Sequence, residues 1–556
     1  MAHVELESSW LEKGNVMGTS IPSSSASRNQ HGAIKHAQED PAEIVDPSVV
    51  CGATRGTVDS AGVLPTVEML AAGNKTLGKV PRPGMCQPTN TEPNSHSGGP
   101  RDVTSPTADV ARAGAVQVTT ATEPKVSWWG RATFKNWGGN IKARPASSQS
   151  PKDLSELQAI VRENTVVHAV GKGHSFSPVA TTEGVMVRMA KLNAVLGVDT
   201  QKGTVKVQGG IEIEHLNEAL AAKGLALRVA PAHPEMTVAG AVATASHGTS
   251  LQYGSFADEV VSMEVMDSEG LLHNVTDPET LKAMRGGMGA LGIVYSLTLR
   301  TEPRHNVEMV REVMDESTAF SNAVRIAREN EHVDMYWSLY PKQVYVRRWN
   351  RTNKPEDMPS KFTLWLEQMK GGPLATMTMG LGRLIPKLRK VLAEKAVSTQ
   401  PTSTIVGSCE KMTHYTLGSA KVVMTGFSVP LVNTQQALAE IRAAVEETSY
   451  QPTVPFVVRF VGKGAGTLLG HVGNDERVTI DLVSLRKQTD TGPFLDSVRR
   501  RLSALGGQQH LAKIPIGDPL NASAAQVSQF KKVQAFFDPN GKFTNAYVAE
   551  LLASGA

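Results

Sequence analysis

An α+β fold is what this sequence predicts, on three observations. Alternating apolar residues mark short strands, as in Thr204-Val205-Lys206-Val207-Gln208. Apolar spacings of three and four mark helices between them, as in Ile213-Glu214-His215-Leu216-Asn217-Glu218-Ala219-Leu220. The two kinds of element are mixed, without the strict strand-helix alternation of a doubly wound sheet. At 556 residues the chain is also too long for one ordinary core, so two or more domains are expected.

Residues 1–125 are rich in Ser, Thr, Pro, Gly and Asn, a composition that buries too little apolar surface to offset chain entropy. They are expected to be a disordered, non-catalytic N-terminal region. The character changes at Trp128-Trp129 and Asn136-Trp137-Gly138-Gly139-Asn140. From Pro151 a helix is expected, with proline in the first turn, early acids and apolar residues at 154, 157, 160 and 161. It leads to a strand at 165–170. Beyond about 306 a second α+β domain is expected. Its strands fall near 335–340, 344–349, 457–461 and 478–483, with helices at 434–447 and 493–505 and a helical insertion at 375–398.

Composition excludes several classes. Lys+Arg 57 against Asp+Glu 53 gives no polyelectrolyte character, and the basic run Arg499-Arg500-Arg501 lacks interleaved aromatics, so no nucleic-acid partner is implied. The three cysteines are far apart with no CxxC pair, which argues against disulfides and a cysteine metal site; no metal is expected. No apolar segment approaches the ~20 residues of a membrane span, although peripheral membrane association stays open. The N-terminus lacks the pattern of a secretory signal, so secretion is not expected, and the compartment is otherwise unassigned.

Three glycine clusters carry the chemistry. The first is Val170-Gly171-Lys172-Gly173-His174-Ser175-Phe176-Ser177-Pro178, a strand end opening into glycines that let backbone amides converge on a phosphate. Alone, such a loop is more often a tight turn with a solvated histidine. The second, Val238-Ala239-Gly240-Ala241-Val242-Ala243-Thr244-Ala245-Ser246-His247-Gly248, is nearly all small residues, which suits either helix packing or close approach to a flat ligand. The third contains Gly287-x-Gly289-x-x-Gly292, the spacing of a dinucleotide fingerprint. That fingerprint follows a strand and opens a helix, whereas this one follows a helix near 279–285 and opens a strand at 293–300. A nicotinamide site is therefore rejected. So is a phosphate-loop NTPase, because Lys172 is followed by glycine.

The clusters in this order, with Asn136-Trp137-Gly138-Gly139-Asn140, Asp277-Pro278-Glu279 and the closing Phe536-Phe537-Asp538-Pro539-Asn540-Gly541-Lys542-Phe543-Thr544-Asn545, resemble the vanillyl-alcohol-oxidase-type FAD flavoproteins. The similarity is greatest to their sugar-lactone and polyol oxidase branch: gulonolactone, D-arabinono-1,4-lactone and alditol oxidases. It covers about 127–556. The resemblance implies a two-part FAD-binding domain of the PCMH/VAO type at 126–305 and a substrate (cap) domain at 306–556, whose segment 505–550 returns to the flavin. It implies FAD bound by Gly171, Lys172, Gly173, His174, Ser175 and Phe176, and by Val238, Gly240, Ala241, Ser246, Gly248, Gly292 and Ile293. His174 matches the family's covalent flavin tether, and neutral imidazole is a competent nucleophile near pH 7.

On the substrate side the family reads His-Trp-(Gly/Ala)-Lys near its end, and this chain has His510-Leu511-Ala512-Lys513. The family's Glu-x-Arg strand is matched by Val457-Val458-Arg459, which keeps the arginine and loses the acid. Lys513 and Arg459 are expected to stabilise negative charge, with His510 or a polar neighbour as general base. The departures Val457 and Leu511 are expected to remove polyol contacts. The function implied is oxidation of a CH–OH group of a small sugar-derived lactone or polyol by hydride transfer to flavin, with oxygen or another acceptor taking the electrons. Two other readings compete: an FAD-binding homologue with lost or redirected catalysis, acting as a binding or regulatory module, and a reductase drawing electrons from NADPH.

Overall fold

The helix expected from Pro151 runs over Leu154–Glu163, where the Asp153 side chain accepts a 2.9 Å hydrogen bond from the Glu156 amide and caps it. The computed structural model describes residues 132–554, apart from 361–362, 365–366, 368–380, 383–384, 399, 413–421, 453, 487, 489–490 and 520–521. The proposed disordered region 1–125, Trp128-Trp129 and residues 375–380 and 383–384 of the proposed 375–398 insertion lie outside the described residues. From that insertion a helix at Arg389–Ser398 is described.

Beside a two-stranded pair of Phe134–Lys135 and Lys142–Ala143, three larger sheets make up the frame. The capped helix lays Leu157, Ile160 and Val161 against a three-stranded parallel sheet of Ser147–Gln149, Val185–Arg188 and Val167–Val170. A six-stranded antiparallel sheet follows, in the order Leu272–Val275, Val260–Met266, Ile293–Pro303, Thr204–Gln208, Val195–Asp199, with Leu225–Leu227 paired to the end of Ile293–Pro303. The small-residue cluster forms the helix Val238–Ala243, whose Val238, Ala241 and Val242 sink into the core beside that sheet.

The third sheet begins at Asn306. Its eight strands run Ile405–Ser408, Asn306–Asp315, Gln343–Thr352, His332–Ser338, Phe456–Val461, Arg477–Leu485, Val422–Pro430 and Gln508–Gln509. Side-chain alternation gives it two different faces. Phe456, Val458, Phe460, Val478, Ile480 and Leu482 pack under the helices Ala323–Glu329, Thr434–Thr448 and Gly492–Ser503. Residues 457, 459 and 481 therefore point to the other face, toward the glycine-histidine loop.

The C-terminal segment clasps the three-stranded sheet and the turn that follows the glycine-histidine loop. Asp538 accepts from the amides of Lys542 and Phe543, and the Val167 amide donates to the Lys542 carbonyl at 2.9 Å. The Asn545 amide group donates at 2.9 Å to the carbonyls of Val179 and Thr181, directly after the loop. The sequence end that resembles the flavoproteins is thus a buckle.

The third glycine cluster has a backbone reason for its composition. Gly286, Gly289 and Gly292 all have positive φ, and at Gly292 (φ 121°) a Cβ would lie 2.6 Å from the Met266 carbonyl oxygen. This turn feeds the central strand Ile293–Pro303. Gly292→Ala is expected to destabilise the protein by about 2–3 kcal/mol or more, measured by urea unfolding; an unchanged midpoint would contradict this account.

Candidate active site

Strand Val167–Val170 ends where the loop begins, and asparagines hold the loop's shape. Asn136 donates its side-chain amide to the Ser175 carbonyl and Asn140 to the Phe176 carbonyl, both at 2.8 Å. This explains both asparagines of Asn136-Trp137-Gly138-Gly139-Asn140, and Gly138 belongs there because a Cβ would meet the Phe176 ring at 2.7 Å. At Gly171 a Cβ would overlap the Thr237 hydroxyl, so the loop and the second cluster touch only because glycine stands there. The Lys172 ammonium pairs with Glu212 at 2.9 Å.

His174 sits between two aromatic rings, 5.7 Å from Trp137 and 5.8 Å from His233 by centroid, both stacked. Burial first, then the Lys172 charge, lowers its pKa to about 4. Burial likewise takes His233 to about 3. His174 is therefore a neutral imidazole at pH 7, with Nε2 3.8 Å from a Glu235 carboxylate oxygen.

The facing wall comes from the eight-stranded sheet and the turn after Gln509. The His510 amide donates to the Gly426 carbonyl, the Lys513 amide to the His510 carbonyl and the Ile514 amide to the Met424 carbonyl, each at 2.9 Å. This pins the turn along Val422–Pro430 and points Lys513 at Asp481, to which its ammonium donates. Arg459 stands 3.8 Å from the other Asp481 oxygen. The cations hold the Asp481 pKa down at about 2 against its burial. Burial lowers that of Lys513, and Asp481 opposes the fall.

Three buried histidines close the end of the site. His471 and His510 stack at 4.2 Å, and His247 lies 5.5 Å from His471. Burial drives all three below their ordinary range, His247 to about 4, so they are neutral at pH 7. Their tautomers differ. The Gly248 carbonyl can only accept, so His247 donates from Nδ1 and keeps a lone pair on Nε2. His510 accepts the Ala512 amide at Nδ1, which leaves its proton on Nε2.

These walls line a cleft of about 170 Å³ that opens to solvent. Of the residues expected from sequence, Gly171 to Phe176, Gly240, Ser246, Arg459, His510 and Lys513 line it. Val238, Ala241, Gly292 and Ile293 do not; they are buried in the core, on the far side of their helix or turn. Gly248 lines a smaller neighbouring chamber, and Met288 and Gly289 supply the third cluster's share of the cavity. Leu511, where the resembled family has tryptophan, is buried in the core with Leu468, Leu469 and Phe530 and does not line the cavity.

Sequence reasoning missed Asp481, His233, His247 and Thr237. Asp481 had a readable signal: an acid inside the apolar alternation Val478-Thr479-Ile480-Asp481-Leu482, the same kind of anomaly as Arg459.

The lining suits FAD: the loop Gly171 to Phe176 and the small residues Gly240, Ala243 and Ser246 border the cleft, and Lys172, Arg459 and Lys513 bring positive charge to it. A family model described as "FAD binding domain" matches residues 145–276, and one described as "D-arabinono-1,4-lactone oxidase" matches 297–551. The chain is an FAD-dependent oxidoreductase. Among relatives of this flavoprotein, the L-gulono-1,4-lactone dehydrogenase of Mycobacterium tuberculosis is 24% identical over 426 residues, covering 75% of this chain and 99% of that protein. The L-gulonolactone oxidase of Bos taurus is 25% identical over 451 residues, covering 75% and 98%. The D-arabinono-1,4-lactone oxidase of Kluyveromyces lactis is 29% identical over 239 residues, covering 41% and 46%. A solved structure of a solvent-stable cholesterol oxidase superimposes with a TM-score of 0.63 at 18% identity, covering 76% of this chain and 98% of that one. That likeness concerns the fold: mixed α+β, with the PCMH-type FAD-binding arrangement.

The buried histidines make stability depend on pH. Their folded pKa values lie below the ~6.5 of an unfolded chain. The flavoprotein's stability is therefore full above that value and declines as pH falls toward 4, where the unfolded chain takes up protons the folded one refuses. Each of His174, His233 and His247 should contribute a loss of about 1.4 kcal/mol per pH unit across that window. Urea unfolding of flavin-free protein at pH 7 and pH 5 measures it, and His247→Gln should make the slope shallower by one proton.

Proposed function

We propose that this flavoprotein oxidises a CH–OH group of a small sugar-derived lactone or polyol, in the manner of a D-arabinono-1,4-lactone oxidase, with oxygen as the electron acceptor. The observation that carries the reading is the convergence of Lys513 and Arg459 on a cavity whose opposite wall is the glycine-histidine loop. In this reading residues 126–305 hold the cofactor and 306–556 the substrate. The relatives named for lactones support the substrate class.

Bound FAD supplies the hydride acceptor. Gly171, Gly173, Ser175 and Phe176 cradle it by their backbone, with Gly240 and Ser246 on the next wall, and His174 is its covalent tether. The tether reading is supported by a histidine already neutral, oriented between Trp137 and His233 and partly reachable from the cavity. Lys513 and Arg459 stabilise the negative charge that develops on the substrate oxygen as its proton leaves. His510 and His247 divide the proton work: His510 presents an N–H, and His247 presents the lone pair that accepts the hydroxyl proton.

Two measurements test this. Acid precipitation of purified protein should leave yellow colour in the pellet, and His174→Ala should release it to the supernatant; free flavin from the wild type would rule out the tether. D-Arabinono-1,4-lactone or L-gulono-1,4-lactone should bleach the flavin anaerobically and drive oxygen uptake in air. Lys513→Met should slow bleaching about 100-fold or more, and bleaching by no lactone or polyol would refute the substrate class.

A further inference from the structure

Lys513 and Arg459 reach the cavity from different elements, and a single carboxylate stands between them. Lys513 comes from the turn after Gln509, Arg459 from Phe456–Val461 and Asp481 from the adjoining Arg477–Leu485. One Asp481 oxygen receives the Lys513 ammonium, and the other faces Arg459 at 3.8 Å. The strand register sets Asp481 directly opposite Val457, and residues 457 and 459 lie on the same face. The acid absent from position 457 is thus present one strand away, on that face.

The next strand adds a second sign of design. Gly426 is the register partner of Asp481 on its other side. A Cβ at 426 would lie 2.7 Å from Lys513 Cδ and 2.9 Å from the Asp481 oxygen that Lys513 holds. The Gly426 backbone is outside the left-handed region, so what its missing side chain provides is room for the Lys513 stem. Two buried cations side by side repel each other and are costly to desolvate. One carboxylate shared between them leaves a single net positive charge to face the cavity.

We propose that Asp481 is the positioning residue of this site: its carboxylate sets where Lys513 and Arg459 present their charge, in place of the acid that position 457 lacks. The role rests on the oxidoreductase reading of the cavity and acts through the cations, without contact to the reacting atoms. Lys513 faces Asp481 and Arg459 from the sheet, and His233, His247, His471 and His510 from the loops. Those histidines are neutral at pH 7, so Asp481 is the group that keeps the buried ammonium charged.

The test follows the pH dependence of Lys513 acylation by acetic anhydride in full-length, flavin-free protein, read by peptide mass. In Asp481→Asn the half-labelling pH should fall by about one unit or more, while Asp481→Glu should stay near wild type. Gly426→Ala should shift the curve in the same direction with Asp481 untouched, because the new Cβ drives the pair apart. In the flavin-loaded enzyme Asp481→Asn should lower kcat at least about tenfold, with a smaller change in KM, as expected for charge stabilisation that matters most in the transition state. A labelling curve unmoved in Asp481→Asn overturns the proposal, and so does a curve unmoved in Gly426→Ala. Should Asp481→Asn not fold, Gly426→Ala decides. Failure of every lactone and polyol to bleach the wild-type flavin would show separately, because labelling needs neither flavin nor turnover.

Discussion

The Ala512 carbonyl joins the two walls of the candidate site: it accepts from the Phe176 amide at 2.8 Å and from the Ser177 amide at 3.3 Å. Phe176 closes the glycine-histidine loop, and Ala512 precedes Lys513. The spacing between the loop backbone and the backbone that carries Lys513 is therefore fixed by main-chain atoms, which have no rotamers to search. Both partners are themselves held: Phe176 by Asn140, and the Ala512 turn by Gly426, Met424 and the Tyr547 hydroxyl on the Leu511 carbonyl. A side-chain bridge in the same place would cost conformational entropy and allow play.

Around that joint the protein solves an electrostatic problem by neutrality. Five histidines, His174, His233, His247, His471 and His510, stand near two buried cations, and burial keeps all five uncharged at pH 7. Had they protonated, their charges would have repelled Lys513 and Arg459. As neutral rings they stack, offer either a lone pair or an N–H, and leave the field of the cavity to Lys513, Arg459 and Asp481.

Much of this was legible in the sequence, for reasons that can be named. The loop at 171–176 and the helix–turn–strand order around Gly287-x-Gly289-x-x-Gly292 are local, so glycine placement and periodicity report them directly. Arg459 declared itself as a charge in an apolar strand. Asp481 carried the same mark, but its meaning depends on a register between strands about twenty residues apart, and no local pattern states that register. The orientation of Leu511 was not legible. Its neighbours His510 and Lys513 face the cavity, and only the tight turn shows that the residue between them points into the core. Helix phase had the same effect at Val238 and Ala241, where the cluster as a whole meets the cavity while alternate side chains do not.

The Asn545 clasp has a consequence in time. The carbonyls it holds at Val179 and Thr181 lie 366 and 364 residues earlier in the chain. A ribosome adding about 5–20 residues per second makes the loop on the order of tens of seconds before it makes the buckle. Throughout that interval the cradle exists as sequence without its fastening, and Lys513 has not yet been added. The loop is thereby fastened only once nearly the whole chain, Lys513 included, has been synthesised.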